Sequence, residues 1–171
     1  MSLQLDDASA SSFGHDERLA RMLIPIIDFL RAGIDGVDAI SVTTIDDHDL
    51  ETVACSEAFA LQLDEAQRHH GGPCVIAAWS GEQIYVADLS TDPRWPTLRD
   101  TAGKYRVNSV LCTPLGAPSL PTDDDQPSAM AINLYSRTRD MFRENTRRAI
   151  SSMIQAAVEL VAVKGSARLL F

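Results

Sequence analysis

The sequence from Gly71 to Pro96 decides the fold, and it reads GGPCVIAAWSGEQIYVADLSTDPRWP. Its opening Gly-Gly-Pro breaks any preceding helix, and Cys74 to Trp79 predict a short helix that is stopped by Gly81. Gln83 to Ala87 predict a strand. The closing turn, Asp92 to Pro96, leads into a short polar helix that reaches about Ala102. The stretch therefore predicts a short helix, a strand and a second short helix in succession.

Longer helices flank this stretch on both sides. From Asp16, apolar residues recur at helical spacing, which predicts an amphipathic helix that ends at Gly33. Pro25 lies inside this helix and is expected to kink or divide it. A further helix is predicted over 56–70, and the last helix over about 143–163. The two terminal helices each present one apolar stripe.

The remaining segments predict strands, and most of them are joined by turns. The predicted strands are 37–45, 50–55, 83–87, 107–114 and 128–135. Because turns rather than crossovers join most neighbours, the sheet should be largely antiparallel. The fold class is therefore α/β of the α+β type. We expect the terminal helices to cover one face of the sheet and the short helices to cover the other, where they could enclose a pocket.

Composition narrows the function classes. The 171 residues suffice for one domain, and the net charge of -9 argues against direct nucleic-acid binding because a polyanion would be repelled. The arginines between Arg137 and Arg148 form a possible basic patch, which we interpret as an exposed helix start screened by Asp140 and Glu144. No apolar run approaches the ~20 residues of a membrane span, and Asp6 and Asp7 stand where a secretory signal would carry basic residues. A cytoplasmic location is predicted.

Familiar catalytic and metal motifs are missing. The chain has no phosphate-binding glycine loop and no nucleophile elbow. The acidic segments 46–49 and 123–125 lack the spacing of a calcium loop and are interpreted as solvated turns. His69 and His70 are adjacent and would point about 100° apart on a helix, so a frayed helix end is the favoured reading. No metal site and no required cofactor are predicted.

Four aromatic residues and one cysteine remain as candidates for a functional site. Cys74 stands in the first turn of a predicted helix, where the helix dipole would lower the pKa of its thiol, so it is either a reactive cysteine or a small packing residue. Cys55 and Cys112 lie in strands and are interpreted as core. Aromatic residues near the central segments could line a ligand cavity or fill the core: Trp79, Tyr85, Trp95 and Tyr105.

Four motifs in this order resemble those of a known family. They are GPC at 72–74, DLSTDPRWP at 88–96, SVLCTPL at 109–115 and INLYS at 132–136. Together they resemble GAF domains, in particular those of actinobacterial signalling proteins of the GAF–ANTAR type. The resemblance covers residues 15–163, with residues 1–14 as a flexible arm and 164–171 as a tail. We expect no output domain within this chain, and we expect the chain to act through a signalling partner or to be part of a longer regulator.

The resemblance implies a structure and a role. It implies a six-stranded antiparallel sheet, a small-molecule ligand on the face of the short helices, and a homodimer formed by the terminal helices. The candidate ligand residues are Cys74, Trp79, Tyr85, Asp88, Trp95, Tyr105 and Asn108. The candidate dimer residues are Leu19, Met22, Leu23, Ile26, Ile150, Met153, Ile154 and Ala157.

Three functions follow from the resemblance. The leading hypothesis is a non-catalytic sensory domain that binds an unidentified small ligand and dimerises in signal transduction or transcription regulation. The second is a thiol enzyme similar to the free methionine-R-sulfoxide reductases, which share the fold and carry a cysteine at the position of Cys74. Those enzymes need a further cysteine after the third strand, and residues 92–106 contain none. The third is a degenerate GAF domain that serves only protein–protein contacts.

Overall fold

The computed structural model describes residues 7–46, 49–116 and 129–167. The helices are α1 (Asp7–Gly33), α2 (Ala58–Arg68), α3 (Pro73–Ser80), α4 (Pro96–Tyr105) and α5 (Glu144–Ala167). The strands are β1 (Ala39–Ile45), β2 (Leu50–Cys55), β3 (Ile84–Val86), β4 (Ser109–Leu115) and β5 (Ala129–Ser136). Among these helices, none has the length and apolar character that crossing a bilayer requires. The segments 117–128 and 47–48, which include the predicted acidic turns in part or whole, lie outside the described residues.

The strands form one antiparallel sheet in the order β2-β1-β5-β4-β3. This confirms the mixed fold class and the antiparallel sheet. The sheet has five strands over the described residues, whereas the family resemblance implied six. The five are the segments whose own residue pattern predicts strands.

Helices cover both faces of the sheet, as predicted. On one face, α1 and α5 pack against apolar side chains of the strands, among them Ile40, Ile132 and Leu134. On the other face, α2, α3 and α4 form a second core with Ala39, Val110 and further residues. The face of the short helices is called the ligand-side layer below, because that is where the predicted cavity would lie.

Helix α1 is longer than the sequence pattern predicts. It begins at Asp7 instead of Asp16, within the stretch predicted as an arm, and it ends at Gly33 as expected. Pro25 lies inside the helix without dividing it. A proline removes one backbone hydrogen bond, and because Pro25 is exposed, water can satisfy the carbonyl that loses its partner.

Strand alternation decides which side chains enter the ligand-side layer. Along β5, Ile132 and Leu134 join the core of the terminal helices, whereas Tyr135 and Ala131 join the core of the short helices. Asn133 lies between those two and therefore faces the short helices as well. Polar residues at such positions are enclosed by the fold, and Asn133 is 0% exposed.

A bulge in the first hairpin changes the face of the sheet on which the Thr52 side chain lies. Val42 pairs with Ala54, but the next residue, Thr43, pairs with Thr52, so Val53 has no partner of its own. A bulge of this kind inserts an extra residue into one strand and re-aims the side chains beyond it. As a result, Thr52 reaches the ligand-side layer, where its hydroxyl donates to a helix residue.

A buried polar cluster between the sheet and the short helices

The candidate functional site is centred on Asp64, a fully buried residue of α2. Its carboxylate accepts a hydrogen bond from Tyr135 Oη at 2.6 Å and one from Thr52 Oγ1 at 2.8 Å. Ser41 Oγ donates to it at 3.0 Å and Asn133 Nδ2 at 3.4 Å. Helix α2 and three strands, β1, β2 and β5, therefore meet at one carboxylate. We call Asp64 and its four donors, together with Thr43 and Gln67, the polar cluster.

Helix periodicity places Asp64 against the sheet. The buried residues of α2 are Ala60, Leu63, Asp64, Ala66 and Gln67, which recur at spacings of three and four. Such spacing lines one face of a helix. Asp64 and Gln67 occupy two positions of that face which an apolar residue would ordinarily take. The helix consequently carries two polar groups into the core.

The cluster holds a buried carboxylate without a basic partner. Within the described part of the chain, no lysine, arginine or histidine forms an ion pair with Asp64. Burial raises the pKa of Asp64 from its ordinary value of 3.8 to about 6, although its four donors act to lower that pKa. The group is therefore mostly ionised at neutral pH and becomes protonated in mildly acidic solution.

Asn133 has an acceptor that no described group satisfies. Its Nδ2 shares two N–H groups among three nearby acceptors, Ser41 Oγ and Thr43 Oγ1 at 3.3 Å and Asp64 Oδ1 at 3.4 Å. Its Oδ1 is buried and accepts no hydrogen bond within the described structure. A buried acceptor without a donor costs about 1–3 kcal/mol, and such atoms are uncommon in folded proteins. Asn133 Oδ1 is thus a buried acceptor that can take a further donor.

Gln67 connects the cluster to α3. Its Nε2 donates to Tyr135 Oη at 3.1 Å and to the Leu63 carbonyl at 3.3 Å. Its Oε1 accepts the backbone N–H of Cys74 at 3.0 Å. Because Cys74 lies in the first turn of α3, one amide side chain joins the central strand, α2 and the beginning of α3.

Burial favours the protonated thiol form of Cys74 and Cys112 over the thiolate. Burial, with a smaller contribution from the charge on Asp64, raises the pKa of Cys74 well above its ordinary value. The prediction that the helix start lowers this pKa is wrong, because desolvation of a fully buried group outweighs the helix dipole. Cys112 is also buried with a raised pKa, and Cys55 is half-buried. The interpretation of Cys112 as core is confirmed.

Trp79 lies at the rim of a groove beside the cluster. The groove has a volume of about 250 Å³, and it is lined by Ile45, Asp46, Asp49, Leu50, Arg68, Val75 and Trp79. Trp79 is 47% exposed, so it does not fill the core. Arg68 lies one helical turn after Asp64 on α2, and residues at this spacing are about 5–6 Å apart. The groove lining therefore includes one residue, Arg68, that lies a helical turn from Asp64, but no residue of the polar cluster itself.

Trp95 and Tyr105 lie in the same layer as Asp64, but they pack in or against the core instead of lining a cavity. Trp95 is buried immediately before α4, and the guanidinium of Arg94 lies 4.1 Å from its ring centroid. Tyr105 stacks on Phe59 with ring centroids 5.6 Å apart. Both belong to, or pack against, the core under the short helices.

Three predicted ligand residues do not join this site. Tyr85 faces the terminal helices, because its neighbours Ile84 and Val86 take the opposite side of the strand, and its hydroxyl donates to Asp140. Asp88 accepts from Ser90 and pairs with Arg139 at 3.0 Å. Asn108 lines a separate depression of about 540 Å³. The seven candidates therefore do not surround one cavity.

Most of the predicted dimer residues are buried in the chain's own core. Six of the eight are buried between α1, α5 and the sheet: Leu19, Leu23, Ile26, Ile150, Ile154 and Ala157. Met22 and Met153 are half-buried. The amphipathic stripe on each helix packs on the sheet, so it is not available to a partner. Where the exposure of these helices is described, residues 17–33 and 144–161, their exposed large apolar residues are Ile24, Phe29 and Leu160.

The arginines of the possible basic patch lie in ion pairs, some of them with acids other than the expected Asp140 and Glu144. Each arginine of the possible basic patch pairs with an acid: Arg137 with Asp38, Arg139 with Asp88, Arg143 with Asp140, and Arg147 and Arg148 with Glu144. The described residues contain no group of three metal-binding side chains. His69 and His70 lie just after α2, which ends at Arg68.

The polar cluster itself was missed by sequence reasoning. Its signal is weak but present: Asp64 stands inside an otherwise apolar helix face, and Asn133 stands at an inward position of the strand AMAINLYS. Polar residues at core positions are informative because they are costly there. The register of three strands was needed to see that these residues meet.

The fold is that of known GAF domains. No protein-family model and no curated protein matches the chain. Among solved structures, the GAF domain/HD domain protein of Geobacter sulfurreducens is 16% identical with a TM-score of 0.59, covering 89% of this chain and 94% of that one. The GAF domain of a two-component sensor histidine kinase from Bacillus halodurans is 12% identical with a TM-score of 0.55, covering 85% and 96%.

Enzymes share this fold as well. The free methionine-R-sulfoxide reductase of Staphylococcus aureus, solved in complex with its substrate, is 11% identical with a TM-score of 0.60. The match covers 94% of this chain and 99% of that one. At such identities the likeness concerns the fold alone, so function has to be argued from the site.

Proposed function

We propose that this chain is a non-catalytic GAF sensory domain that binds a small ligand in the ligand-side layer, at the polar cluster around Asp64. The observation that carries the proposal is a buried, ionisable carboxylate beside an unsatisfied amide oxygen, Asn133 Oδ1. Buried polar groups of a purely structural core are normally paired, and an unpaired one calls for an explanation such as a ligand. The location agrees with the ligand-binding face that the resemblance to GAF domains implies.

We propose that a ligand first contacts the groove lined by Trp79. Its lining combines apolar side chains, including Leu50 and Val75, with the charged groups of Arg68 and Asp49. Sites for small molecules usually have this mixed character, with few polar groups placed among apolar ones. Val75 and Trp79 belong to α3, so a ligand in the groove contacts this short helix of eight residues.

We expect ligand binding to change the contacts of α3 and of the central strand β5. Gln67 contacts Tyr135 on β5 and the backbone of Cys74 on α3. A ligand that competes for Tyr135 or Asp64 changes both connections. The proposed role is therefore regulation, in signal transduction or transcription, through a partner or a second copy of the chain.

We also propose a homodimer, formed by the outer face of α1 and α5. The terminal helices expose Ile24, Phe29 and Leu160, with exposed fractions of 49%, 45% and 58%. We expect these side chains to belong to one contiguous apolar patch, the kind of surface that marks an interaction site. This face replaces the buried stripe that the sequence pattern predicted for the dimer.

A thiol reductase is the second candidate function. Cys74 and Cys112 both lie in the ligand-side layer, and the charge on Asp64 acts on both thiols. The raised pKa values oppose this function, because the thiolate is the reactive form. Reduction of free methionine sulfoxide by the wild type but not by Cys74→Ser would establish it, and no turnover by either would dismiss it.

The main proposal is tested on the purified chain. Native mass spectrometry is recorded for the wild type, for Asp64→Asn and for Asp35→Asn, an exposed aspartate that serves as the matched control. We expect a small molecule, bound one to one, on the wild type and the control, and its loss in Asp64→Asn. A bound molecule that is equally abundant in all three proteins would place the site elsewhere and contradict the proposal.

A further inference from the structure

We infer that a surface depression beside α4 binds a small molecule that carries a phosphate group. The depression has a volume of about 540 Å³ and is lined by Arg99 and Arg106, with Gly103 between them in the sequence. It is called the α4 depression below. It shares no residue with the polar cluster or with the groove lined by Trp79, so the inference goes beyond the proposed function and does not depend on it.

The first argument is an excess of positive charge in an acidic chain. The protein has a net charge of -9, yet residues 99–106 contain three basic residues and a single acid, Asp100. Asp100 lies 3.7 Å from Arg99, whereas every other ion-paired arginine among the described residues has an acid within 3.3 Å. In the same part of the chain, Lys104 and Arg106 form no ion pair. The positive charge of this surface is therefore available to an anion.

The second argument is that three residues of the α4 depression depart from the preferences of a helix. Arg99 lies in the first turn of α4, where the helix dipole disfavours a cation. Gly103 is less favourable within a helix than alanine, although a Cβ there would meet nothing within 4 Å. Arg106 ends α4 with a φ of 60°, a left-handed conformation for which glycine is the usual residue. Departures of this kind are expected at functional sites.

These three residues lie on one side of α4. Gly103 follows Arg99 by four positions and precedes Arg106 by three, and residues at such spacings are neighbours on a helix surface. Because Gly103 is exposed and has no side chain, the space above it is open and a ligand can approach the backbone closely. The two arginines therefore flank an open floor.

The uncharged polar side chains of the α4 depression have their donors occupied. The hydroxyl of Ser90 donates to Asp88 at 2.5 Å. Nδ2 of Asn108 donates to the carbonyl of Arg137 at 2.5 Å and to that of Arg106 at 3.5 Å. The guanidinium groups are therefore the side-chain donors that this surface offers to a ligand.

Two arginines favour a phosphate over a carboxylate. A carboxylate carries one charge and two oxygens, which a single guanidinium satisfies in a bidentate pair. A phosphate monoester carries nearly two negative charges and three acceptor oxygens at neutral pH, so it can engage both arginines at once. A volume of about 540 Å³ accommodates the phosphate together with a small organic body.

The experiment follows the backbone amide signals of the full chain by two-dimensional NMR while glycerol 3-phosphate is added at constant ionic strength. We expect a saturable shift of the Gly103 and Arg106 signals. Glycerol, which lacks the phosphate, and succinate, which carries two carboxylates, should cause no saturable shift. Inorganic phosphate distinguishes two sources of the same chemistry. An equal Kd assigns recognition to the phosphate alone, and a higher Kd shows that the organic body contributes.

Three variants test the named residues, and each is chosen to fold. Arg106→Gly removes a guanidinium but suits the left-handed conformation, so its Tm should equal or exceed that of the wild type. Arg99→Gln removes the other guanidinium, and Gly103→Leu fills the open floor without changing the charge. Each variant should raise the Kd for glycerol 3-phosphate about three- to tenfold. Arg18→Gln is the control, because it removes an exposed arginine of α1, and it should leave the Kd unchanged.

Several results would overturn the inference. One is the absence of a saturable shift at Gly103, and another is the same Kd in Arg99→Gln, Arg106→Gly and the control. Succinate that binds as tightly as glycerol 3-phosphate would overturn the assignment to phosphate. None of these results concerns the co-purified molecule that tests Asp64, so the inference and the proposed function can fail separately.

Discussion

Gln67 and Gly72 pack so closely that a Cβ atom on Gly72 would lie 2.7 Å from Gln67 Cδ. Gly72 has a φ of 179°, an extended conformation that any residue adopts, so the requirement for glycine here is one of space. The side chain that needs this space is the amide that links Tyr135 to the first turn of α3.

We predict that Gly72→Ala displaces Gln67 and destabilises the protein. The loss of the buried bonds to Tyr135 and to the Cys74 amide should lower the free energy of unfolding by about 1–3 kcal/mol. Gly103→Ala is the matched control, because a Cβ there meets nothing within 4 Å and alanine favours the helix by about 1 kcal/mol. Urea unfolding measures both, and equal stability of the two variants would contradict the prediction.

Asp64 should make the protein less stable as the pH rises from about 4 to about 6. Its pKa is raised in the folded chain, from 3.8 to about 6, so the folded state binds the proton more tightly than the unfolded state. The stabilisation is fully present below pH 3.8 and is lost as the pH passes 6, a difference of about 3 kcal/mol.

Asp64→Asn isolates this effect from that of other acids. Asp92, Asp140 and Glu144 have lowered pKa values and act in the opposite direction, so the difference between the variant and the wild type is the relevant quantity. We expect the variant to gain relative stability between pH 4 and pH 7. A difference that does not vary with pH, measured by urea unfolding, would show that Asp64 titrates normally.

The buried thiols should resist modification in the folded protein. Cys74 and Cys112 are 0% exposed and have raised pKa values, so a disulfide reagent such as DTNB should reach them only after unfolding. Cys55 is half-buried and should react first. Absorbance at pH 8 follows the reaction, with Cys55→Ser to remove the early phase. Rapid labelling of Cys74 in the native protein would argue for the reductase instead.

A charge on the outer face of the terminal helices should break the proposed dimer. Phe29→Glu and Leu160→Glu place a carboxylate in an apolar surface, and the solution mass should fall from that of a dimer to that of a monomer. Leu61→Glu is the control, since Leu61 is 42% exposed on α2, on the opposite side of the sheet. Multi-angle light scattering gives the mass. A wild-type protein that is monomeric at high concentration would exclude the dimer.

The elements of the fold were predictable because periodicity and turn residues are local signals. The strand predicted over 50–55 is β2 with the same bounds, and α3 and α4 lie where Gly-Pro and Trp-Pro open them. The resemblance to the family implied a sixth strand, which the described residues do not form. Local pattern was the better guide to strand number here.

The polar cluster was not predictable because it depends on strand register. The dimer surface was not predictable because the sheet and a partner helix compete for the same apolar stripe. Thr52 joins the polar cluster only because of the bulge at Val53, which no local pattern reveals. The stripe that includes Leu23 and Ile154 is equally suited to a sheet and to a partner helix, and the sheet takes it. Tyr85 could have been assigned correctly, since strict alternation along β3 separates it from Ile84 and Val86.

The position of β5 has a mechanical consequence. It lies in the middle of the sheet, hydrogen-bonded to β1 and β4, with Asn133 and Tyr135 on one face and Ile132 and Leu134 on the other. A strand is stiff along its length and cannot rotate one residue without moving the next. A ligand that displaces Tyr135 would therefore also be expected to shift Leu134 and, through it, the helices on the other face of the sheet.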